Sequence, residues 1–405
     1  MAGRRRGAGI RAGTRTAAGG LAAAALLVLS GCAGTAAPPD TTSRDIQRTL
    51  DARAAAVLGR DADAYVAALD GGLRAAGRAE FASLADVPLS SWEYRLTGVQ
   101  RSGGRATAEA ELRYRIEGYD SAPVTSARVL ELAERDGRWY VTADRAGRGG
   151  AEQLWQQGDV DAVRGARSLV LGVGQDRDLL RRIAADADRA VPAVSAAWPG
   201  RWASRVVVLV PGTLDAMGRL LGAPAAGYRG IAAVTTGEAG ASGAVPADRV
   251  IVNPEAYAEL GEFGRRIVLT HETTHVATRA ATSEATPLWL SEGFADWAAY
   301  RGTGRTAAQA APELARAVRA GSAPSRLPAD EDFRFGSDGE ALGRAYEGGW
   351  LACELIAERW GTRALTDFYR AAGEDGPAKA LHDVLDTTPD AFTAAWSAYV
   401  RARLG

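Results

Sequence analysis

A chain of 405 residues, 47% apolar and 24% charged, is long enough for two domains and too apolar for disorder to be its default state. Its net charge of −1 falls to −6 without the five arginines of the first 31 residues, which excludes the basic footprint of a nucleic-acid-binding protein. Lys379 is the one lysine in the chain, a skew toward arginine that accompanies abundant alanine and glycine and carries no functional meaning.

The start, MAGRRRGAGIRAGTR, is basic, and GGLAAAALLVLSG is an apolar stretch too short to span a bilayer. Leu29, Ser30 and Gly31 then precede Cys32. This L-S-G-C resembles the bacterial lipobox, and the resemblance implies that residues 1–32 are a lipoprotein signal peptide, lipidated at Cys32. The protein is then expected to be exported and held on the extracytoplasmic face of the cell membrane by its lipid anchor. With Cys32 lipidated, Cys353 is left without a disulfide partner and is expected as a small buried residue on a helix. Residues 33–43, with AGTAAPPDTT, read as a tether.

Residues 44–148 form the next unit. The spacing of Ile46, Leu50, Ala54, Val57, Tyr65 and Leu69 predicts two helices broken near Gly59. In ATAEAELRYRIEGY the residues Ala108, Ala110, Leu112, Tyr114 and Ile116 alternate with polar ones, the period of a strand with one wet face. ARVLELAERD is a further strand, and Asp136-Gly137 turns it into RWYVTA. Helices followed by long antiparallel strands resemble the cone-shaped fold of the nuclear-transport-factor-two-like superfamily. No convergent acid, base or nucleophile stands out here, so this unit is expected to be an accessory spacing or binding module.

RAGRGGAEQ breaks the composition, and residues 149–405 form the last unit. ARSLVLGV and RVVVLVP read as buried strands around the helix DLLRRIAADADRAVPAV, and GIAAVTT and RVIVN as further strands. The Gly-rich TGEAGASGAVPAD between the last two reads as an exposed loop. From Pro254 onward helices are predicted over 262–280, 287–301, 308–319, 341–360, 363–372 and 390–403. A small sheet followed by a helical half makes the fold class α+β.

HETTH, residues 271–275, contains two of the chain's three histidines. Scattered residues of this composition would produce an H-E-x-x-H pattern in roughly one such chain per thousand. FGRRIVLTHETTHVATRA has no proline and no glycine after Gly264, so the motif lies within a helix, where His271 and His275 project from one face a turn apart. That is the separation at which two imidazoles bind one zinc ion. Glu272 falls on the flank, where its carboxylate can reach a water on the metal as a general base. A catalytic zinc site needs a third protein ligand. In PLWLSEGFADWAAYR, Pro287 can start a second helix on which Glu292 and Asp296 share a face, so Glu292 can supply that ligand and Asp296 can accept the free ring N–H of one histidine.

Residues 200–405 thereby resemble the gluzincin zinc metallopeptidases, most closely their peptidase MA-like branch, in which HExxH is followed by a glutamate on the next helix, commonly as E-G-x-A; here SEGFADW supplies Glu292. The resemblance implies a zincin-like fold and a Zn2+ ion held by His271, His275 and Glu292, with Glu272 as general base. Glu292 follows His275 by slightly fewer residues than in the best known members, so the loop ATSEATP must be tight. In aminopeptidase-type members a Y-E-x-G carries the tyrosine that hydrogen-bonds the oxyanion, and RAYEGGW places Tyr346 there. The G-x-M-E-N strand of aminopeptidases is missing, so aminopeptidase activity is not implied. His382 lies outside the expected site. The expected function is that of a membrane-anchored zinc peptidase acting on peptide or protein substrates. Two other functions fit the same residues: a non-catalytic zincin-fold scaffold or binding lipoprotein, and a zinc hydrolase of non-peptide amides.

Overall fold

The computed structural model describes residues 41–237, 245–334 and 339–405. The export signal, Cys32, the tether up to residue 40 and the middle of the Gly-rich loop lie outside these residues. Among the described residues no helix is long and apolar enough to cross a membrane.

The N-terminal layer contains helices α1 (Thr42–Leu58), α2 (Ala62–Ala67) and α3 (Arg74–Ser83). Strands β1 (Leu89–Ser102), β2 (Arg105–Ile116), β3 (Val124–Arg135) and β4 (Arg138–Ala146) follow as an antiparallel meander. The first helix stops where Arg60 turns left-handed, and Asp61 restarts the chain by accepting the Ala64 N–H as an N-cap. Asp136 and Gly137 both have positive φ, the geometry a two-residue hairpin requires. β1 is absent from the sequence reading because its alternation slips at a register shift between Leu96 and Gly98.

A five-stranded sheet comes next, built from β5 (Val160–Arg164), β6 (Ser168–Val173), β7 (Val206–Val210), β8 (Ala233–Thr236) and β9 (Arg249–Val252). Its order is β5-β6-β7-β9-β8, with the three central strands parallel and both edges antiparallel. Helix α4 (Arg177–Ala197) crosses between β6 and β7, and α5 (Leu214–Leu221) follows β7. The strands are apolar runs because both faces of the sheet are covered. Along β6, Leu169, Leu171 and Val173 join the core of the N-terminal layer, while Val170 faces the core under α4. Trp155 lies in the first of these cores, 5.3 Å from Trp92 and 5.0 Å from Tyr114 between ring centroids.

The rest is helical: α6 (Pro254–Glu259), α7 (Glu262–Thr278), α8 (Leu288–Tyr300), α9 (Ala307–Ala310), α10 (Pro312–Arg319), α11 (Gly339–Trp360), α12 (Thr362–Asp375), α13 (Pro377–Leu385) and α14 (Pro389–Leu404). The fold is α+β, as expected. One helix is corrected: residues 308–319 form two, because the ring of Pro312 drives Ala311 out of helical geometry and then starts α10. Cys353 sits fully buried on α11.

A buried acid is central to the polar contacts between the N-terminal layer and the five-stranded sheet. Asp120, in the β2–β3 loop, accepts from the backbone N–H groups of Ile116 (2.6 Å) and Ala247 (2.9 Å) and twice from an Arg249 terminal nitrogen (2.8 and 2.9 Å). Its side chain is wholly buried and that of Arg249 is 10% exposed. Ser121 and Ala122 both donate to the Val245 carbonyl beside it. Removing one partner of a buried ion pair strands the other, so Asp120→Ala is expected to lower the unfolding free energy by about 3–5 kcal/mol. Urea titration checks this, and a midpoint unchanged from wild type contradicts the clamp.

Candidate metal centre

Helix α7 carries HETTH and α8 carries Glu292 and Asp296; the two are joined by the 3₁₀ turn Arg279–Ala281 and a tight loop. The loop is held by its own side chains: the Ser283 N–H donates to Thr286 Oγ1, the Ala285 N–H to Ser283 Oγ, and the Ser283 hydroxyl to the Gly373 carbonyl. The shortened spacing is therefore accommodated by serine and threonine turns. Across α8 lies α11, and the two backbones nearly touch. A Cβ on Gly293 would come within 2.2 Å of the Gly349 carbonyl oxygen, and one on Gly349 within 2.5 Å of the Trp289 oxygen. No side chain fits between them, so this approach sets how close Tyr346 on α11 comes to the histidines. Its ring centroid is 6.2 Å from that of His271.

Three ligand atoms converge. His271 Nε2 and His275 Nε2 are 3.0 Å apart, and Glu292 Oε2 lies 3.2 Å from the first and 3.4 Å from the second. A tetrahedral zinc with bonds of about 2.0–2.1 Å spaces its ligand atoms about 3.3 Å apart. The donor chemistry fits a cation as well. His271 Nδ1 lies 2.8 Å from Asp296 Oδ1, so its ring proton goes to Asp296 and the Nε2 lone pair faces a carboxylate and a second imidazole. Three electron-rich atoms at these distances repel one another unless a proton or a metal ion lies among them. Burial by itself would lower the His271 pKa, but Asp296 and Glu292 together drive it well above the usual histidine value. Burial opposes ionisation of Glu292 too, yet His275 and His271 hold its carboxyl far below the ordinary range. Asp296 acts on the Nδ1 side of His271, whereas Glu292 and the two histidines act on one another where the three ligand atoms meet.

Glu272 is 7% exposed and turns away from this point toward the edge strand β8, where the Thr235 hydroxyl donates to its Oε2 at 2.7 Å. No pattern in the sequence marked Thr235; only pairing β8 against β9 brings it to α7. Burial first, then the carboxylates of Glu292, Asp296 and Glu272, raise the Tyr346 pKa strongly, so its phenol stays protonated. These groups open into a cleft of about 870 Å³. His382 is exposed on α13, paired with its neighbour Asp383, and takes no part.

A second polar cluster, absent from the sequence reading, lies in the N-terminal layer. Buried Arg53 donates to Asp144 (2.7 Å) and to the Tyr65 hydroxyl (2.6 Å), Tyr65 donates to Glu80, and Arg128 donates to Asp144 (2.8 Å). Its members come from α1, α2, α3, β3 and β4, so no linear spacing betrays it. The two arginines and two acids balance, and the cluster ties the helices to the sheet.

The chain matches no family model and no curated protein. Among solved structures it is similar to Rv3472, a function unknown protein from Mycobacterium tuberculosis, at 15% identity, covering 28% of this chain and 77% of that one with a TM-score of 0.25. It is also similar to RPA3114, a SEC-C motif containing protein from Rhodopseudomonas palustris, at 22% identity, covering 27% and 90% with a TM-score of 0.19. At these scores neither likeness carries an argument about fold or function.

Loss of the partner that orients a ligating histidine costs metal affinity, so Asp296→Asn is expected to bind zinc about 10–100-fold more weakly while keeping its secondary structure. Competition against a chromogenic chelator measures this; an unaltered affinity places Asp296 outside the site's support.

Proposed function

We propose that this chain is a zinc-dependent peptidase of gluzincin type, exported and lipid-anchored through Cys32, with residues 44–148 as its accessory domain. The observation that carries the reading is the convergence of His271 Nε2, His275 Nε2 and Glu292 Oε2, with Glu272 lining the same cleft and held by Thr235. Zinc bound there would supply Lewis acidity, making a water more acidic and an amide carbonyl more electrophilic.

The chain's own groups then have defined work. Asp296 keeps the His271 proton on Nδ1, so that Nε2 presents a lone pair. Glu272, steadied by Thr235, takes the proton of the attacking water and delivers it to the amide nitrogen as the C–N bond breaks. Tyr346 keeps its phenolic proton at neutral pH and donates a hydrogen bond to the oxygen that becomes negative during attack. Edge strand β8 and the apolar walls of the cleft, among them Ile267, Val268 and Leu342, exclude water around the scissile bond.

Glu272→Gln is expected to fold, to bind one zinc per chain and to lose peptide hydrolysis; full retained hydrolysis of a peptide library ends the assignment of the base. Tyr346→Phe is expected to lower kcat by about 10²–10³-fold with KM little changed, the signature of a donor used in the transition state. A loss confined to KM would instead make Tyr346 a substrate-packing residue.

A further inference from the structure

Arg279 stands one turn beyond His275 on the continuation of the same helix face, so that residues 271, 275 and 279 form a row along the cleft. Among the described residues that line the cleft it is the only arginine or lysine, against four carboxylates: Glu272, Glu292, Asp296 and Glu347. Its Nε donates to Asp248 Oδ2 at 2.9 Å, and its side chain remains 22% exposed. Among the described residues its two terminal nitrogens make no hydrogen bond.

Asp248 is itself nearly buried. Its side chain is 8% exposed, and the flanking residues Ala247 and Arg249 are the ones clamped by Asp120. Gly237 leaves room for it, since a Cβ there would lie 1.7 Å from Asp248 Oδ1. The guanidinium is thus held at its Nε edge, while among the described residues the edge formed by the two terminal nitrogens has no partner. That edge is the planar fork which matches a carboxylate with two parallel hydrogen bonds.

We infer that Arg279 is a specificity-determining residue that binds a carboxylate of the substrate at the end of the cleft beyond His275. The inference rests on the peptidase reading for what the substrate is, and it names the class: peptides with a negative group a few residues from the bond that is cut. Away from the metal, a carboxylate elsewhere along the cleft meets acidic side chains, whereas this end offers the planar edge of a guanidinium. The carboxylate is either the peptide's C-terminus or an Asp or Glu side chain.

The probes are three pools of N-acetylated tetrapeptides built from Ala, Leu, Phe and Val: one with a free C-terminus, one amidated, and one amidated with a Glu at each position in turn. With the zinc-loaded full chain, kcat/KM is expected to be about tenfold higher for at least one carboxylate-bearing pool than for the neutral amide pool. Whichever pool is favoured identifies the source of the carboxylate. The ratio is expected to fall severalfold in Arg279→Lys, which keeps a charge for Asp248 but lacks the fork. It is expected to reach about one in Arg279→Gln with Asp248→Asn, which removes both charges together and leaves neither buried alone. Equal rates for all pools in the wild type, or a ratio that survives the double substitution, overturns the proposal. Retention of the same pools by Glu272→Gln, measured by ultrafiltration, separates the two readings. Preferential retention of a carboxylate pool with no hydrolysis by the wild type sinks the peptidase and keeps the Arg279 subsite, and no retention with no hydrolysis sinks both.

Discussion

The crossing of α8 and α11 at Gly293 and Gly349 is the constraint from which the site's geometry follows. With carbonyl oxygens 2.2 and 2.5 Å from where a Cβ would stand, two helix backbones lie in contact, a separation that no alanine permits. Glu292 precedes one of these glycines and Tyr346 lies one turn before the other, so the same contact places both the proposed metal ligand and the proposed hydrogen-bond donor. Around it the apolar residues of both helices, including Trp289, Phe294, Leu351 and Ile356, enter the largest core among the described residues. Packing thereby holds the polar groups; alone, they would drive themselves apart.

The electrostatics of the site repeat that dependence at a smaller scale. Two imidazoles and a carboxylate share a space that suits a cation, Asp296 fixes which histidine nitrogen is free, and Thr235 fixes Glu272 from an edge strand. Glu347, next to Tyr346, accepts the backbone N–H groups of Glu313 and Leu314 at the start of α10. Burial pushes its carboxyl up to about 7 against those two hydrogen bonds. Carboxylates in this cleft therefore differ in protonation according to their neighbours, which is how one chemical type fills several roles.

The HETTH helix, the second helix at Pro287 and the face shared by Glu292 and Asp296 were legible because helical periodicity is local. The sheet strands of the C-terminal unit were legible as apolar runs. β1 was not, because a bulge at Thr97 interrupts its alternation, nor was the split at Ala311, which depends on what Pro312 does to the residue before it. Thr235, Asp120 and the Arg53 cluster share a different difficulty. Each acts on residues far away in the chain, 37 positions off for Thr235 and Glu272 and 129 for Asp120 and Arg249, so their meaning exists only once the sheets have paired. Arg279 was visible as a letter in HETTHVATR, yet its role depends on which nitrogens Asp248 occupies.

One consequence concerns how the molecule is assembled rather than what it catalyses. Leu169, Leu171, Val173 and Val207 belong to the same buried cluster as Leu112, Tyr114 and Leu130, so the N-terminal layer is the missing wall of the five-stranded sheet. A sheet deprived of that wall presents a continuous greasy surface to water, a state prone to self-association. The two halves are therefore expected to melt as one cooperative unit, and a shortened chain beginning after residue 148 to be a poor vehicle for studying the cleft. Duplication or exchange of either half between proteins is constrained in the same way: the partner must bring a complementary apolar face and an acid at the place of Asp120.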